Sequence, residues 1–275
     1  MNVAIQGERG SFHHEAAMRL LPDATVVPQK HFSDVFSAVV RGEAEYGLCA
    51  VENSLYGSIN EVYRLLGRND VWIIQDIRLH ISQQLVGSQR VDLELLAAAD
   101  DVRILSQAPA FAQVELWLDK HLPKAVREET GDTALSVQIV TQRNEPHTLA
   151  IAGSFAADTY NGVVIARDIQ DEADNHTRFI LFQSAHCDVP NASHASMILK
   201  TDHTPGSLLH ALRVFSEHGC NLVKLDSHPV PSDQRHYAFY IDYELSDQNV
   251  SAPIIAELER QGCHVKLLGE YFSIG

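Results

Sequence analysis

Tyr46-Gly47-Leu48-Cys49-Ala50-Val51-Glu52-Asn53-Ser54, followed by Leu55-Tyr56-Gly57, is the stretch from which the fold is read. Its apolar part, Tyr46 to Val51, reads as a strand that runs directly into three polar side chains. A helix is expected from there to Gly67, then a strand at Val71 to Ile77. Toward the N-terminus, Val3 to Ile5 is a short apolar strand followed by the loop Gly7-Glu8-Arg9-Gly10-Ser11. A helix is expected from about Phe12 to Leu21, stopped by Pro22, and Ala24 to Pro28 is extended. Ser33 or Asp34 can cap a helix carrying Val35, Phe36, Val39 and Val40 and closed by Gly42. This alternation is the rhythm of an α/β domain with a largely parallel sheet.

Toward the C-terminus the rhythm restarts. Leu79 to Val86 is extended, and Val102 to Leu105 is a strand ending in Ser106. Pro109 lies in the first turn of a helix expected to run to about His121. Asp132 can cap a helix over Thr133 to Arg143, and a further helix is expected from about Pro146 to Asp158. Val163 to Ala166 is a strand, Asp168 to Thr177 a polar acidic loop, and Phe179 to Phe182 another strand. Two α/β lobes with a cleft lined by strand-end loops follow from this order. One lobe covers about 1–77 and 160–183, the other about 78–159, within a domain at 1–183. Residues 183–193 lack periodicity and read as a linker. From 194 to 275 the order becomes βαββαβ, the ferredoxin-like motif, with Pro205-Gly206 opening its first helix.

Bulk properties narrow the function. The 275 residues carry a net charge of −15, which disfavours nucleic acid and anionic membrane surfaces as partners. A small anionic substrate then needs a local pocket of cations or N–H groups. No run of 18 apolar residues is present, and the opening MNVAIQGERG lacks a basic-then-apolar leader, so a cytoplasmic protein is expected. Cys49, Cys187, Cys220 and Cys263 have neither zinc-site nor disulfide-scaffold spacing, and His13-His14-Glu15 is not a His-Glu-x-x-His metal motif. No metal site is expected.

The loops carry a set of ordered words. Gly7-Glu8-Arg9-Gly10-Ser11-Phe12, Val51-Glu52-Asn53-Ser54 with Gly57, Ser106 with Gln113, Asp132-Thr133-Ala134, and Asn175-His176-Thr177-Arg178-Phe179 occur in this order over roughly 1–182. They resemble the motifs of prephenate dehydratases. Pro205-Gly206-Ser207-Leu208 and Asn221 to Pro229 resemble the ACT domains fused to those enzymes. Two departures stand out. Gln107-Ala108-Pro109 replaces the H-P-Q of one word, and Asp226 and His228 replace the usual Glu and Arg of another.

The resemblance implies a two-lobed, periplasmic-binding-protein-like catalytic domain followed by a ferredoxin-like ACT domain. It implies a hydro-lyase that turns prephenate into phenylpyruvate in phenylalanine biosynthesis, with no metal or organic cofactor. It also implies feedback by L-phenylalanine and a homodimer or homotetramer. Arogenate dehydration and non-catalytic amino-acid sensing are the rival functions. Thr177 is then the donor to the departing hydroxyl, Arg178 a fork for a carboxylate, and Glu52 a third catalytic group. Asn53, Ser54, Ser106, Gln113, Thr133 and Phe179 become substrate contacts, and Gly206, Ser207, Leu208 and Asn221 effector contacts. Each has a plainer reading. Thr177 can be satisfied by backbone, Arg178 can pair with Glu52 or a loop Asp, and Phe179 can be core. Glu52 to Ser54 can be a helix cap, and Gln113 an exposed polar position.

Overall fold

A computed structural model describes residues 1–230, 233–245 and 251–274. In chain order the elements begin with β1 (Asn2–Gln6), α1 (Phe12–Leu20), β2 (Thr25–Gln29), α2 (Phe32–Val40), β3 (Tyr46–Asn53), β4 (Gly57–Ser58), α3 (Asn60–Arg68) and β5 (Trp72–His80). Next come β6 (Gln84–Gly87), α4 (Leu93–Ala98), β7 (Arg103–Ser106), α5 (Ala108–Gln113), α6 (Glu115–His121), β8 (Val126–Glu129), α7 (Thr133–Arg143), β9 (Thr148–Ala152), α8 (Ser154–Tyr160), β10 (Val163–Ala166) and β11 (His176–Gln183). The chain ends with β12 (His194–Lys200), α9 (Ser207–Glu217), β13 (Leu222–Val230), β14 (Asp233–Glu244), α10 (Ser251–Arg260) and β15 (His264–Ile274). Two compact units result. The first holds Met1–Val35, Leu48–Ile59 and Arg78–Phe179, and the second Phe36–Gly47, Asn60–Ile77 and Ile180–Gly275.

In the first unit β1 pairs with β2 in parallel, Val3 opposite Val26, and β3 lies on the other side of β1. A separate five-stranded sheet has the order β10-β6-β9-β7-β8. It is mixed rather than largely parallel: β9 runs parallel to β7 and antiparallel to β6. β9 corrects the expected helix at Pro146 to Asp158. All five of its residues are buried, because it is the central strand and both its faces are covered. Leu149 and Ile151 join a core with Leu96, Phe111 and Leu118, while Ala150 and Ala152 join one with Ala134, Val137 and Ala156. A four-residue apolar run, Leu149 to Ala152, fits helix or strand equally well by periodicity. β8, short and largely polar, and α4, a six-residue helix, have no counterpart among the expected elements.

The second unit contains the expected βαββαβ order, in a sheet ordered β13-β14-β12-β15. β12 sits between two antiparallel partners, with Met197 opposite Ile241 and Leu267. Ala211, Val214 and Phe215 of α9 and Ile254 and Leu258 of α10 cover the face that carries Ala195, Met197 and Leu199. The other face receives α3. Tyr240 donates its hydroxyl to Tyr63 O at 3.0 Å. Lys266 Nζ donates to Leu66 O at 3.1 Å and Asn69 O at 2.6 Å, a cation on the open carbonyls of a helix C-terminus. Beside these contacts Gly269 is pressed against β5: a Cβ there would lie 2.2 Å from Ile73 O. Gly269→Ala is expected to lower stability by about 1–3 kcal/mol or more, read from urea unfolding midpoints at unchanged m-value.

Candidate active site

β3 ends on Asn53, and β4 turns back so that Glu52 faces Ser58 and Asn53 faces Gly57. The turn between them is held by one side chain. Asn53 Oδ1 accepts from the backbone N–H groups of Leu55 at 3.0 Å and Tyr56 at 3.1 Å, as Asn does at turns. Its Nδ2 donates to Asn175 Oδ1 at 2.7 Å, Thr177 Oγ1 at 3.0 Å and His176 O at 3.3 Å. Ser54 completes the junction: its N–H donates to His176 O at 2.8 Å, and its Oγ accepts from His176 N–H at 2.9 Å. Glu52 to Ser54 is therefore not a helix cap, since α3 begins only at Asn60.

These contacts fix orientations that an amide otherwise leaves open. Two backbone N–H groups can face only the Asn53 oxygen, so its nitrogen must face Asn175 and Thr177. Thr177 Oγ1 is then an acceptor toward Asn53, and among the described residues its own O–H donates to nothing. Both ends of the Asn53 amide are occupied by protein. The amide thereby orients the Thr177 hydroxyl.

Strand alternation separates the neighbours of Thr177. Thr177 and Phe179 point to one face of β11 and Arg178 to the other. Arg178 is 8 % exposed, so it is a buried cation rather than an open fork. Phe179 is core: its ring meets the edge of His13 at 5.0 Å. His13 also packs on Phe32 and accepts the Ala50 N–H on Nε2 at 3.2 Å. Burial pushes its pKa down to about 3, so it stays neutral. In the unfolded chain it binds a proton below its usual 6.5, and in the folded chain only below about 3. Stability is therefore lost as pH falls through that window. His13→Gln keeps an acceptor for Ala50 and is expected to lose less over the window, measured by urea midpoints at several pH values.

A cavity of about 210 Å³ lies beside this arrangement, with Leu55, Tyr56, Gln113, Gln170, Asp171 and Asn175 in its walls. Gln113 accepts on Oε1 from Gln83 Nε2 at 2.9 Å. It stands at a break, because the single helix expected from Pro109 to His121 is divided at Val114 into α5 and α6. Asp171 explains the division. Its carboxylate accepts from Leu116 N–H and Trp117 N–H, both at 3.0 Å, capping α6. Its own N–H donates to Gln113 O at 2.7 Å. Asp171→Ala is expected to cost about 0.5–2 kcal/mol, visible as a lowered melting temperature. Sequence reasoning missed Asp171, Gln83 and Gln170. The only signal was a pair of glutamines, Gln83 and Gln84, next to Leu85 and Val86 in the extended run.

The other candidates are more enclosed. Ser106 is fully buried and donates its hydroxyl to Ile151 O at 2.8 Å, which leaves that hydrogen committed. Thr133, 3 % exposed, opens α7 behind the cap Asp132, whose carboxylate accepts from Ala134 N–H at 2.7 Å. Burial pushes the Asp132 pKa up, against the N–H groups that lower it. The Gly7 to Gly10 loop approaches protein closely here: a Cβ on Gly7 would lie 2.7 Å from Asp132 Oδ2.

In the second unit Gly206, at φ +89°, precedes α9 in a conformation that favours glycine. Ser207 Oγ donates to Thr204 O at 2.9 Å. Ser207 and Leu208 line a cavity of about 140 Å³ with Tyr237 and Phe239. Asn221 is not in its walls; its Nδ2 donates to Glu244 Oε2 at 3.2 Å. His228 Nε2 lies 3.3 Å from Asp226 Oδ2. Among the described residues no group of three His, Cys, Asp or Glu could hold a metal, and no helix is long and apolar enough to cross a membrane.

Comparison with known proteins adds a consistent picture. The family pattern described as prephenate dehydratase matches residues 3–187. A Bacillus subtilis (strain 168) protein named prephenate dehydratase is 31% identical, covering 99% of this chain and 99% of its own. An Arabidopsis thaliana protein named arogenate dehydratase/prephenate dehydratase 2, chloroplastic, is 32% identical over 98% of this chain and 72% of its own. The solved prephenate dehydratase from Arthrobacter aurescens, in complex with L-Phe, has a TM-score of 0.85 and 28% identity, covering 99% of this chain and 90% of that one.

Proposed function

The chain belongs to the prephenate dehydratase family, and from that premise we propose that it converts prephenate to phenylpyruvate. In that reaction the bond from ring to carboxylate breaks, and its electron pair moves into the ring as CO₂ leaves. The ring becomes aromatic while the C–O bond breaks with its pair on oxygen, and the departing hydroxide leaves as water by taking up one proton supplied by the bulk buffer, so one proton is consumed per turnover. Aromatisation drives the step, so the protein's task is to hold the substrate and stabilise charge on the departing oxygen. No redox or electron-sink chemistry is needed.

The observation that carries this reading is the Thr177 hydroxyl, turned by Asn53 so that its proton is left for a ligand. A threonine hydroxyl is a poor acid at neutral pH, so it acts as a positioned hydrogen-bond donor. Gln113 offers an amide at the wall of the adjoining cavity. We assign Arg178 and Glu52 to the electrostatics beneath the site, and Ser54, Ser106, Thr133 and Phe179 to its shape.

We place the catalytic domain at 1–183 and an ACT domain at 194–275, in a cytoplasmic homodimer or homotetramer. L-phenylalanine is the proposed effector, bound around Gly206, Ser207 and Leu208 with Asn221 as a further contact. It inhibits only by favouring a less active state through differential binding. The test is a competition assay with prephenate and arogenate, repeated across a titration of L-phenylalanine. Preference for prephenate and falling turnover with added phenylalanine are expected. Faster turnover of arogenate overturns the substrate, and phenylalanine that neither binds nor inhibits overturns the regulation.

A further inference from the structure

We propose that Asn175 is a second donor to the departing ring hydroxyl, acting beside Thr177. The proposal rests on the dehydratase reading and deepens it. Asn175 is fully buried, and among the described residues its Nδ2 has no hydrogen-bond partner. Buried donors left unmet are rare in native proteins and call for a cause. Here the orphan cannot be removed by rotating the amide. Asn53 Nδ2 already points at Asn175 Oδ1, 2.7 Å away, and a flip would bring two donors face to face. The residue cannot withdraw either, because its carbonyl accepts the Ile81 N–H at 2.7 Å. An unpaired donor is thus built into the position by Asn53, whose own direction is set by the Leu55 and Tyr56 N–H groups.

Two facts say what the donor is for. Asn175 is in the wall of the cavity that also takes Gln113 and Gln170. The same wall includes Glu172 and Asp171, the latter with its carboxylate spent on the Leu116 and Trp117 N–H groups, and no lysine or arginine, so it suits a neutral oxygen better than a substrate carboxylate. The ring hydroxyl is such an oxygen, and it gathers negative charge as the C–O bond breaks. Asn175 Nδ2 and the Thr177 hydroxyl belong to side chains hydrogen-bonded to one and the same nitrogen. Two fixed donors so placed form an oxyanion-hole pair. Asn175 transfers no proton; it only hydrogen-bonds the oxygen as it leaves.

Asn175→Asp is the test, because it keeps the acceptor facing Asn53 and replaces the orphan donor with an oxygen. Its kcat on prephenate is expected to fall roughly 10²-fold at neutral pH, with KM little changed and the melting temperature retained. Inhibition by phenylpyruvate, which has no ring hydroxyl, should keep its strength. Activity should partly return at lower pH, where a protonated Asp can donate, after subtraction of spontaneous acid conversion. If Asn175→Asp does not fold, Asn175→Ala carries the same expected loss of kcat. An unaltered kcat in a folded variant overturns the proposal. So does a loss confined to KM that is matched by weaker phenylpyruvate binding. Absence of turnover by the wild type overturns the dehydratase reading itself, and is recognised by the wild-type control alone.

Discussion

Thr177→Val is expected to reduce kcat on prephenate by about 10²–10⁴-fold, the contribution typical of a positioned donor to a leaving group. The replacement keeps the side-chain shape and removes the hydroxyl. Stability should change little, since Thr177 Oγ1 is one of three acceptors for Asn53 Nδ2 and the stronger contact, to Asn175 at 2.7 Å, remains. KM should move less than kcat, because the hydrogen bond grows with charge in the transition state rather than in the bound substrate. Thr177→Ser restores the hydroxyl and is expected to recover much of the rate. Steady-state kinetics on the three proteins, with melting temperatures in parallel, check the pattern. A Thr177→Val enzyme with near-normal kcat removes the hydroxyl from the chemistry.

Asn53→Asp is expected to cost roughly 10²–10³-fold in kcat, the scale of losing an oriented donor, although both ends of the Asn53 amide are held by protein. The carboxylate keeps an acceptor for the Leu55 and Tyr56 N–H groups, so the turn survives. Toward Thr177 the polarity reverses. The threonine proton now has an anionic acceptor 3.0 Å away and turns to it, leaving the substrate oxygen without its donor. Asn53→Gln displaces the amide and should not rescue the rate. A pH–rate profile separates this role from simple loss of structure. Protonation of the new carboxyl releases the Thr177 proton again, so activity should rise as pH falls, with spontaneous conversion subtracted. A flat profile at wild-type rate contradicts the positioning role.

Much of the fold was legible because its signals are local. The Pro205-Gly206 opening, the apolar face of α9 and the Pro253 start of α10 define the βαββαβ unit from sequence alone. β9 reads equally as helix because Leu149 to Ala152 is apolar without alternation, and only its central place in a sheet makes it a strand. The division of α5 from α6 was invisible for a different reason. Its cause, the Asp171 carboxylate on Leu116 and Trp117, lies more than fifty residues away in sequence. The site shows the same split. Thr177 and Asn53 stand out only through family words, since no periodicity relates side chains 124 positions apart. Strand alternation after Thr177 was readable, and it separates Arg178 from Thr177. What sequence could not supply is direction: which end of each amide faces which neighbour, and therefore which hydrogen is left over.

The most direct test of the central claim is turnover of prephenate by the purified wild-type chain at neutral pH, with spontaneous conversion subtracted. Phenylpyruvate and CO₂ should form one for one, without added metal or cofactor, far above the uncatalysed rate. A folded chain that turns over neither prephenate nor arogenate would contradict it.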